Sequence, residues 1–473
     1  MLELDPSTRQ NVWRQVTDAV ERFNADLPSL PVAPSADPEL ARALLKRVDF
    51  ETPLAPSEAL ALVVEGLRDH QVHTGHPNYF GLFNPAVAPM GVAADTLVAA
   101  FNPQLAAWKH APFPCEVEEL MTKQIGARLG YPEDRACGSF TSGGAEANHT
   151  ALLMALSRAF PGFRERGVRS LPGQPTVYVS GESHHSFIKA ARFSGLGDAS
   201  VHHVSSTEDF AMDPGALERQ IEQDRARGDY PFLIVATLGT TGAAVIDPVG
   251  AAADVGERQG LWVHADAAWA GAAALLPEMR ETFTGLERAD SITFDAHKWL
   301  SAPMAAGMFL TRHRALMEPT FAVDAGYMPV ATGEDAVVEP HRVSIQWTHR
   351  FIGLKVFLSF LVAGWDGYEK TIREMIRLGG VLKRRLGDEG WRVVNDTPLP
   401  VACFQDERSP DGASAEHMRG IVDRVEIRGK AWVSFMNLGG SMPAARACIT
   451  NFRNTEASIE TLLEELDEAR RAR

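Results

Sequence analysis

The sequence predicts an α/β protein: a mainly parallel sheet covered by helices on both faces, followed by a smaller α+β domain at the C-terminus. Three observations predict it. From about Gly138, short apolar or β-branched runs alternate with helical stretches, separated by Gly, Asp or Pro. Asp213-Pro214 and Asp247-Pro248 each read as an N-cap followed by a first-turn proline, where helices between strands should begin. After Met308-Phe309-Leu310 the alternation gives way to long helices and then to strands interleaved with helices. Alternating strands and helices imply a parallel sheet buried on both faces, and such sheets gather ligands at the carboxyl ends of their strands.

In chain order, residues 7–24 are amphipathic and helical, with Val12, Trp13, Val16 and Val20 on one side. A Pro-rich passage at 27–38 reads as an extended connector, and further helices are expected near 57–70 and 90–101. Strands are expected at 176–180, 200–204, 232–238, 261–265 and 291–294. Beyond 310, helices at 351–362 and 368–386 lead into strands at 391–394, 401–404, 432–436 and 447–450, with helices near 416–425 and 457–469. The expected organisation is an N-terminal helical segment (1–85), a large domain (86–345) and a small α+β domain (346–473).

A chain of 473 residues suits one large domain with additions. Its 45% hydrophobic and 23% charged residues are those of an ordinary globular protein. The net charge of -15 argues against a nucleic-acid partner, which would need clustered Lys and Arg. Cys115, Cys137, Cys403 and Cys448 form no C-x-x-C pair, so no zinc knuckle or disulfide framework is signalled and no metal is expected. Reduced, mostly buried thiols are the expectation. The N-terminus has acid where a signal peptide has base, and no apolar run approaches the roughly 18 residues that span a bilayer. A cytoplasmic protein without a membrane partner is expected.

Four loci carry chemistry. Ser142-Gly143-Gly144-Ala145-Glu146-Ala147-Asn148 turns the chain into a helix, and a glycine turn at a helix N-terminus offers N–H groups to a phosphate. A plain turn before a helix would read the same. His264-Ala265-Asp266-Ala267-Ala268 delivers one carboxylate at a strand end, which can keep a pyridine nitrogen protonated; a capping or ion-paired Asp is the alternative. Asp295-Ala296-His297-Lys298-Trp299 places a lysine directly after an apolar strand, where an amine stripped of water can attack an aldehyde. His297 beside it can reach a phosphate or move a proton. Ser183-His184-His185 follows another strand and offers an imidazole to stack on a ring. A phosphate loop, a stacking imidazole, a pyridinium partner and an aldehyde trap are, in this order, the parts of a pyridoxal-5′-phosphate (PLP) site.

On these motifs the sequence resembles the group II PLP-dependent amino-acid decarboxylases, the family of the aromatic-L-amino-acid and glutamate decarboxylases, from about His76 to the C-terminus. Ala236-Thr237-Leu238-Gly239-Thr240-Thr241-Gly242 and Arg446-Ala447-Cys448-Ile449-Thr450-Asn451 match further family segments. The resemblance implies a type I (aspartate-aminotransferase-like) fold with a seven-stranded sheet, a homodimer with shared active sites, and a carboxy-lyase acting on an L-amino acid. It implies Lys298, His184, Asp266 and Tyr327 as catalytic residues, with Lys298 holding the aldehyde and Tyr327 protonating the carbon left by carbon dioxide. It implies cofactor contacts from Ser142, Gly143, Gly144, Ala145, His184, Thr241, Asp266, Ala268, His297 and Lys298. Phe83, Asn84 and Phe101 fall on the substrate side, and Trp108 could join an apolar pocket. Asn84 departs from the aromatic-specific pattern towards the glutamate branch, while an aromatic or other bulky side chain is favoured over an acidic one. Related aldehyde synthases tend to carry phenylalanine at the position of Tyr327. Other PLP reactions on the same fold, such as C–C lyase chemistry, oxidative deamination or transamination, share the cofactor motifs. A non-catalytic regulatory module would have no need to keep Lys298, Asp266 and His184 together.

Overall fold

The computed structural model describes residues 2–34, 37–329, 337–411 and 414–472. Its centre is a sheet of seven strands: β1 (Cys137–Thr141), β2 (Pro175–Ser180), β3 (Val201–Val204), β4 (Tyr230–Thr237), β5 (Trp262–Asp266), β6 (Ser291–Asp295) and β7 (Gly307–Thr311), in the order β1-β7-β6-β5-β4-β2-β3. The neighbours β6/β5, β5/β4, β4/β2 and β2/β3 are parallel, and β7 runs antiparallel to both β1 and β6. The link from β6 to β7 is too short to hold a crossover helix, so the chain must return antiparallel.

Successive residues of β4 fall into different apolar clusters, Leu233 and Val235 into one, Ile234 and Ala236 into the other. This is the alternation of a strand with both faces covered. On one face pack Ala151 and Leu152 of the helix Gly144–Ala159 and Phe187 of the helix Ser186–Phe193. On the other lie Ile125, Ile221 and Val255 of the helices Pro112–Arg128, Pro214–Arg227 and Val249–Gln259. Asp213 caps its helix as expected, accepting from the Gly215 N–H at 2.8 Å. Asp247 does not. Its helix starts at Val249, and its buried carboxylate instead accepts the N–H groups of Met212 and Thr237, both at 2.8 Å. Two orphan donors next to the sheet outweigh the capping role.

The second sheet is antiparallel, in the order β10-β11-β9-β8, from β8 (Trp391–Val393), β9 (Val401–Asp406), β10 (Ser434–Leu438) and β11 (Met442–Cys448). Its last two strands lie closer in sequence than expected, because Gly439 and Gly440, with φ of 57° and 73°, make a tight hairpin. The two helices expected at 351–362 and 368–386 are present within Gly353–Asp388, separated by a kink at Gly364 (φ 62°, ψ 179°). At the N-terminus, the helices Pro6–Asp26 and Pro56–Asp69 bury no side chain. The Pro-rich connector makes a short turn at Leu27–Ser29, and beyond it the Val32 N–H bonds the Gly429 carbonyl at 2.7 Å. Among the described residues no helix is long and apolar enough to cross a membrane. All four cysteines are buried and unpaired.

Candidate active site

Parallel pairing puts the carboxyl ends of β2, β4, β5 and β6 on one edge of the sheet, with Thr237, Asp266 and Thr293 level in register. Because β1 and β6 are both antiparallel to β7, β1 ends at that edge too. Every sequence-predicted cofactor locus therefore emerges on the same side.

The loop after β1 enters the helix Gly144–Ala159, whose N–H groups at Glu146 and Ala147 are taken by the Gly143 carbonyl. Those of Gly144 and Ala145 have no intrahelical partner and remain for a ligand. The cradle tolerates no side chain at Gly144, where a Cβ would stand 2.9 Å from Asp295 Oδ2. Ser142 departs from expectation: its N–H and hydroxyl both bond Glu146 Oε2, at 2.8 and 2.7 Å. The carboxylate of Glu146, the third residue of the helix, captures both donors, so Ser142 is committed locally.

Lys298 follows β6 in a short turn, its N–H bonded to the Asp295 carbonyl. Its Nζ lies 3.1 Å from Asp295 Oδ2, and the side chain is 25% exposed. The other oxygen of Asp295 is buried without a hydrogen-bond partner in the described structure. His297 Nδ1 accepts the Ala306 N–H at 3.1 Å, so the neutral ring carries its proton on Nε2, facing the loop. A Cβ on Gly143 would lie 3.4 Å from His297 Cε1. Burial lowers the His297 pKa, against the pull of Asp295.

Asp266 Oδ2 accepts from Asn148 Nδ2 at 2.8 Å, and Oδ1 from the Ala268 N–H at 3.2 Å. Ala268 ties three loci together, since its carbonyl accepts the Asp295 N–H and its methyl abuts the Gly144 cradle. His184 Nδ1 accepts the Ser186 N–H at 3.2 Å. Burial depresses the His184 pKa, while Asp266 raises it and Lys298 lowers it further.

On the substrate side the Tyr79 hydroxyl donates to Asn84 Oδ1 at 3.1 Å. Phe83 stacks on Trp269 at 4.2 Å, and Trp269 meets Trp299, the neighbour of Lys298, at 5.5 Å. Arg446 covers the opposite side of Phe83, its guanidinium carbon 5.0 Å from the ring centroid. This arginine is 2% exposed, donates to the carbonyls of Thr241 and Gly81, and forms no ion pair among the described residues. Thr241 is thus tied to Arg446 through its backbone, with its side chain exposed.

Three expected residues do not join this cluster within their own chain. Phe101 ends its helix 81% exposed. Trp108 donates to Glu116 at 2.7 Å and borders a separate groove of about 640 Å³ lined by Glu119, Lys123 and Arg314. Tyr327 is 78% exposed and stacks on Trp347 at 6.3 Å. Sequence reasoning assigned no role to Asp295, Asn148 or Arg446. For Asp295 the signal was present, an acid closing a buried strand three residues before the lysine. The other two gain meaning only from partners more than a hundred residues away.

The parts fit a pyridine-ring aldehyde phosphate: free helix N–H groups in a cradle without side chains, an imidazole, a carboxylate with both oxygens facing donors, and an amine. The family model described as "Pyridoxal-dependent decarboxylase conserved domain" matches residues 46–406. The chain is 28% identical to the aromatic-L-amino-acid decarboxylase of Bacillus atrophaeus, over 96% of this chain and 94% of that one. It is 30% identical to the cysteine sulfinic acid decarboxylase of Mus musculus, over 84% and 83%. The crystal structure of mouse CSAD superposes with a TM-score of 0.92 at 27% identity, covering 99% of this chain and 100% of that one.

Proposed function

The chain belongs to the pyridoxal-dependent decarboxylase family, and we propose that it removes carbon dioxide from an L-amino acid with an aromatic or other bulky side chain. The enzyme is a PLP-dependent amino-acid carboxy-lyase; the substrate class and the roles of individual residues are our reading. Bound PLP supplies an electron sink for the pair released when the carboxylate leaves.

With the cofactor bound, Lys298 would hold its aldehyde carbon, and Asp295, 3.1 Å from Nζ, would keep the lysine ammonium in position. The N–H groups of Gly144 and Ala145, with the Nε2–H of His297, hold the phosphate. His184 covers the ring face, and Asp266 holds the proton on the ring nitrogen. Arg446, a buried cation without a carboxylate partner among the described residues, receives the substrate carboxylate beside Phe83. Tyr327 delivers the proton to carbon. Because it is exposed on its own chain, as is Phe101, both act in the site of a partner subunit of a homodimer.

The observation that carries this reading is the convergence of Lys298, Asp295, His184 and Asp266 at one sheet edge. The Phe83–Trp269 stack favours a flat or bulky side chain. A second reading, an acidic substrate, draws on the Asn84 amide and on the cysteine sulfinic acid decarboxylase likeness. Carbon dioxide release across a panel of L-amino acids, with the amine identified by mass, decides both questions. Release from aromatic substrates with stoichiometric amine supports the proposal. Release confined to acidic ones replaces it, and no release from any amino acid overturns decarboxylation.

A further inference from the structure

Behind Asp266 the buried polar side chains form one directed series of hydrogen bonds. Trp262 Nε1–H, which can only donate, bonds Ser291 Oγ at 2.8 Å. Because His264 Nε2 faces Asn148 Oδ1, which can only accept, the ring proton sits on Nε2 and the Ser291 hydroxyl donates to Nδ1, also at 2.8 Å. The Nε2–H donates to Asn148 Oδ1 at 3.0 Å. The Thr293 hydroxyl donates to the same oxygen at 2.6 Å. Two donors on Oδ1 prevent the amide from turning over, so Asn148 Nδ2 must point both hydrogens away, to Asp266 Oδ2 and to Ser186 Oγ, each at 2.8 Å. His264, Thr293, Ser291 and Asn148 are all buried, and no water-exposed group can replace a lost member.

The direction of the series matters because the opposite amide orientation would set a carbonyl against the Asp266 carboxylate. Relief would come from protonating Asp266, and a protonated acid cannot hold a second proton on a ring nitrogen. We propose that Asn148, locked in orientation by His264 and Thr293, is a positioning residue that keeps Asp266 an acceptor aimed at the cofactor's ring nitrogen. The proposal rests on Asp266 being the partner of that nitrogen. Asp266, Lys298, His185 and Asp295 all act on His184, and of these only Asp266 takes part in the series. Burial holds His264 neutral, so the ring keeps one donor and one acceptor, and Asn148 Oδ1 beside Nε2 puts the donor there.

The test uses the PLP-loaded enzyme with the cofactor isotopically labelled at the ring nitrogen. Its NMR shift reports protonation directly, alongside the PLP dissociation constant and the separate values of kcat and KM. Asn148→Ala should move the resonance towards the neutral ring, weaken PLP about tenfold, and lower kcat with KM little changed. Thr293→Val, which alters one hydroxyl and keeps the shape, should shift all readouts the same way by less. His264→Gln, whose amide nitrogen can occupy the place of Nε2, should restore most of the wild-type signal. An unchanged resonance and PLP affinity in both Asn148→Ala and Thr293→Val overturns the relay. Asp266→Asn separates the two levels: if it moves the resonance while the others do not, only the relay fails. If it too leaves the resonance unmoved, the pairing of Asp266 with the ring nitrogen fails as well.

Discussion

Burial pushes the His264 pKa down to about 4, against an ordinary value of 6.5, so between those values the unfolded chain binds a proton that the folded one does not. Stability from this residue is therefore complete above pH 6.5 and is lost as pH falls towards 4, by on the order of 3 kcal/mol. Asp247 acts the other way. Burial raises it to about 6 from 3.8, so the folded state holds the extra proton in that window and gains stability on acidification. The two are separated by comparing denaturation midpoints at pH 7 and pH 4.5 in wild type and His264→Gln. The variant should lose less stability on acidification; equal losses would show that His264 is not held neutral. At the reacting centre, Tyr327→Phe should slow amine formation about a hundredfold and let aldehyde by-products form. Amine output equal to wild type, followed by mass, would remove Tyr327 from the mechanism. Lys298, Asp266 and His184 were legible because each stands in a short motif at a strand end. Asp295 carried the same kind of signal, an acid closing the strand three residues before the lysine, whereas Asn148 did not, since an amide in sequence does not say which distant groups it meets.

At the scale of elements, the geometry of the phosphate cradle depends on how tightly β6 backs the helix Gly144–Ala159. A methyl group at Gly144 would press on Asp295 Oδ2 at 2.9 Å and on Ala268 and Thr293 at 3.4 Å each. Gly144→Ala should displace the helix N-terminus and weaken PLP about tenfold, with little effect on the apo-protein's melting temperature. Titration of apo-protein with PLP, read by visible absorbance, measures it, and wild-type affinity would show that the cradle has slack. The alternation that announced the parallel strands was readable because each is an apolar run closed by a turn residue. The antiparallel return of β7 was not, because strand direction is set by the length of a connection rather than by composition. The same limit applied at the second hairpin, where Gly439 and Gly440 lie in a three-residue turn between Leu438 and Met442. The break at Gly364 was anticipated as a gap between two helices, and the backbone there, at φ 62° and ψ 179°, separates them by a kink of one residue.

Over the whole molecule, what lies exposed is as informative as what is buried. The helices Pro6–Asp26 and Pro56–Asp69 bury no side chain, yet they carry Trp13, Val20, Val63, Val64 and Leu67 at the surface. Apolar faces of this kind mark contact with another chain, and Phe101 and Tyr327 are exposed in the same way. A twofold dimer would bury such surfaces reciprocally and bring Tyr327 of one subunit to Lys298 of the other. Complementation tests this arrangement without needing to see the interface. Lys298→Ala alone should be inactive, and Tyr327→Phe alone should make amine slowly. Co-expressed under different tags and purified as the mixed dimer, the pair contains one site with an intact Lys298 from one subunit and an intact Tyr327 from the other. That site should recover a substantial part of the wild-type amine-forming rate. Were each site built from a single chain, the mixed dimer would show no more activity than the average of its two parents, and Tyr327 would have to reach Lys298 by movement of its own loop.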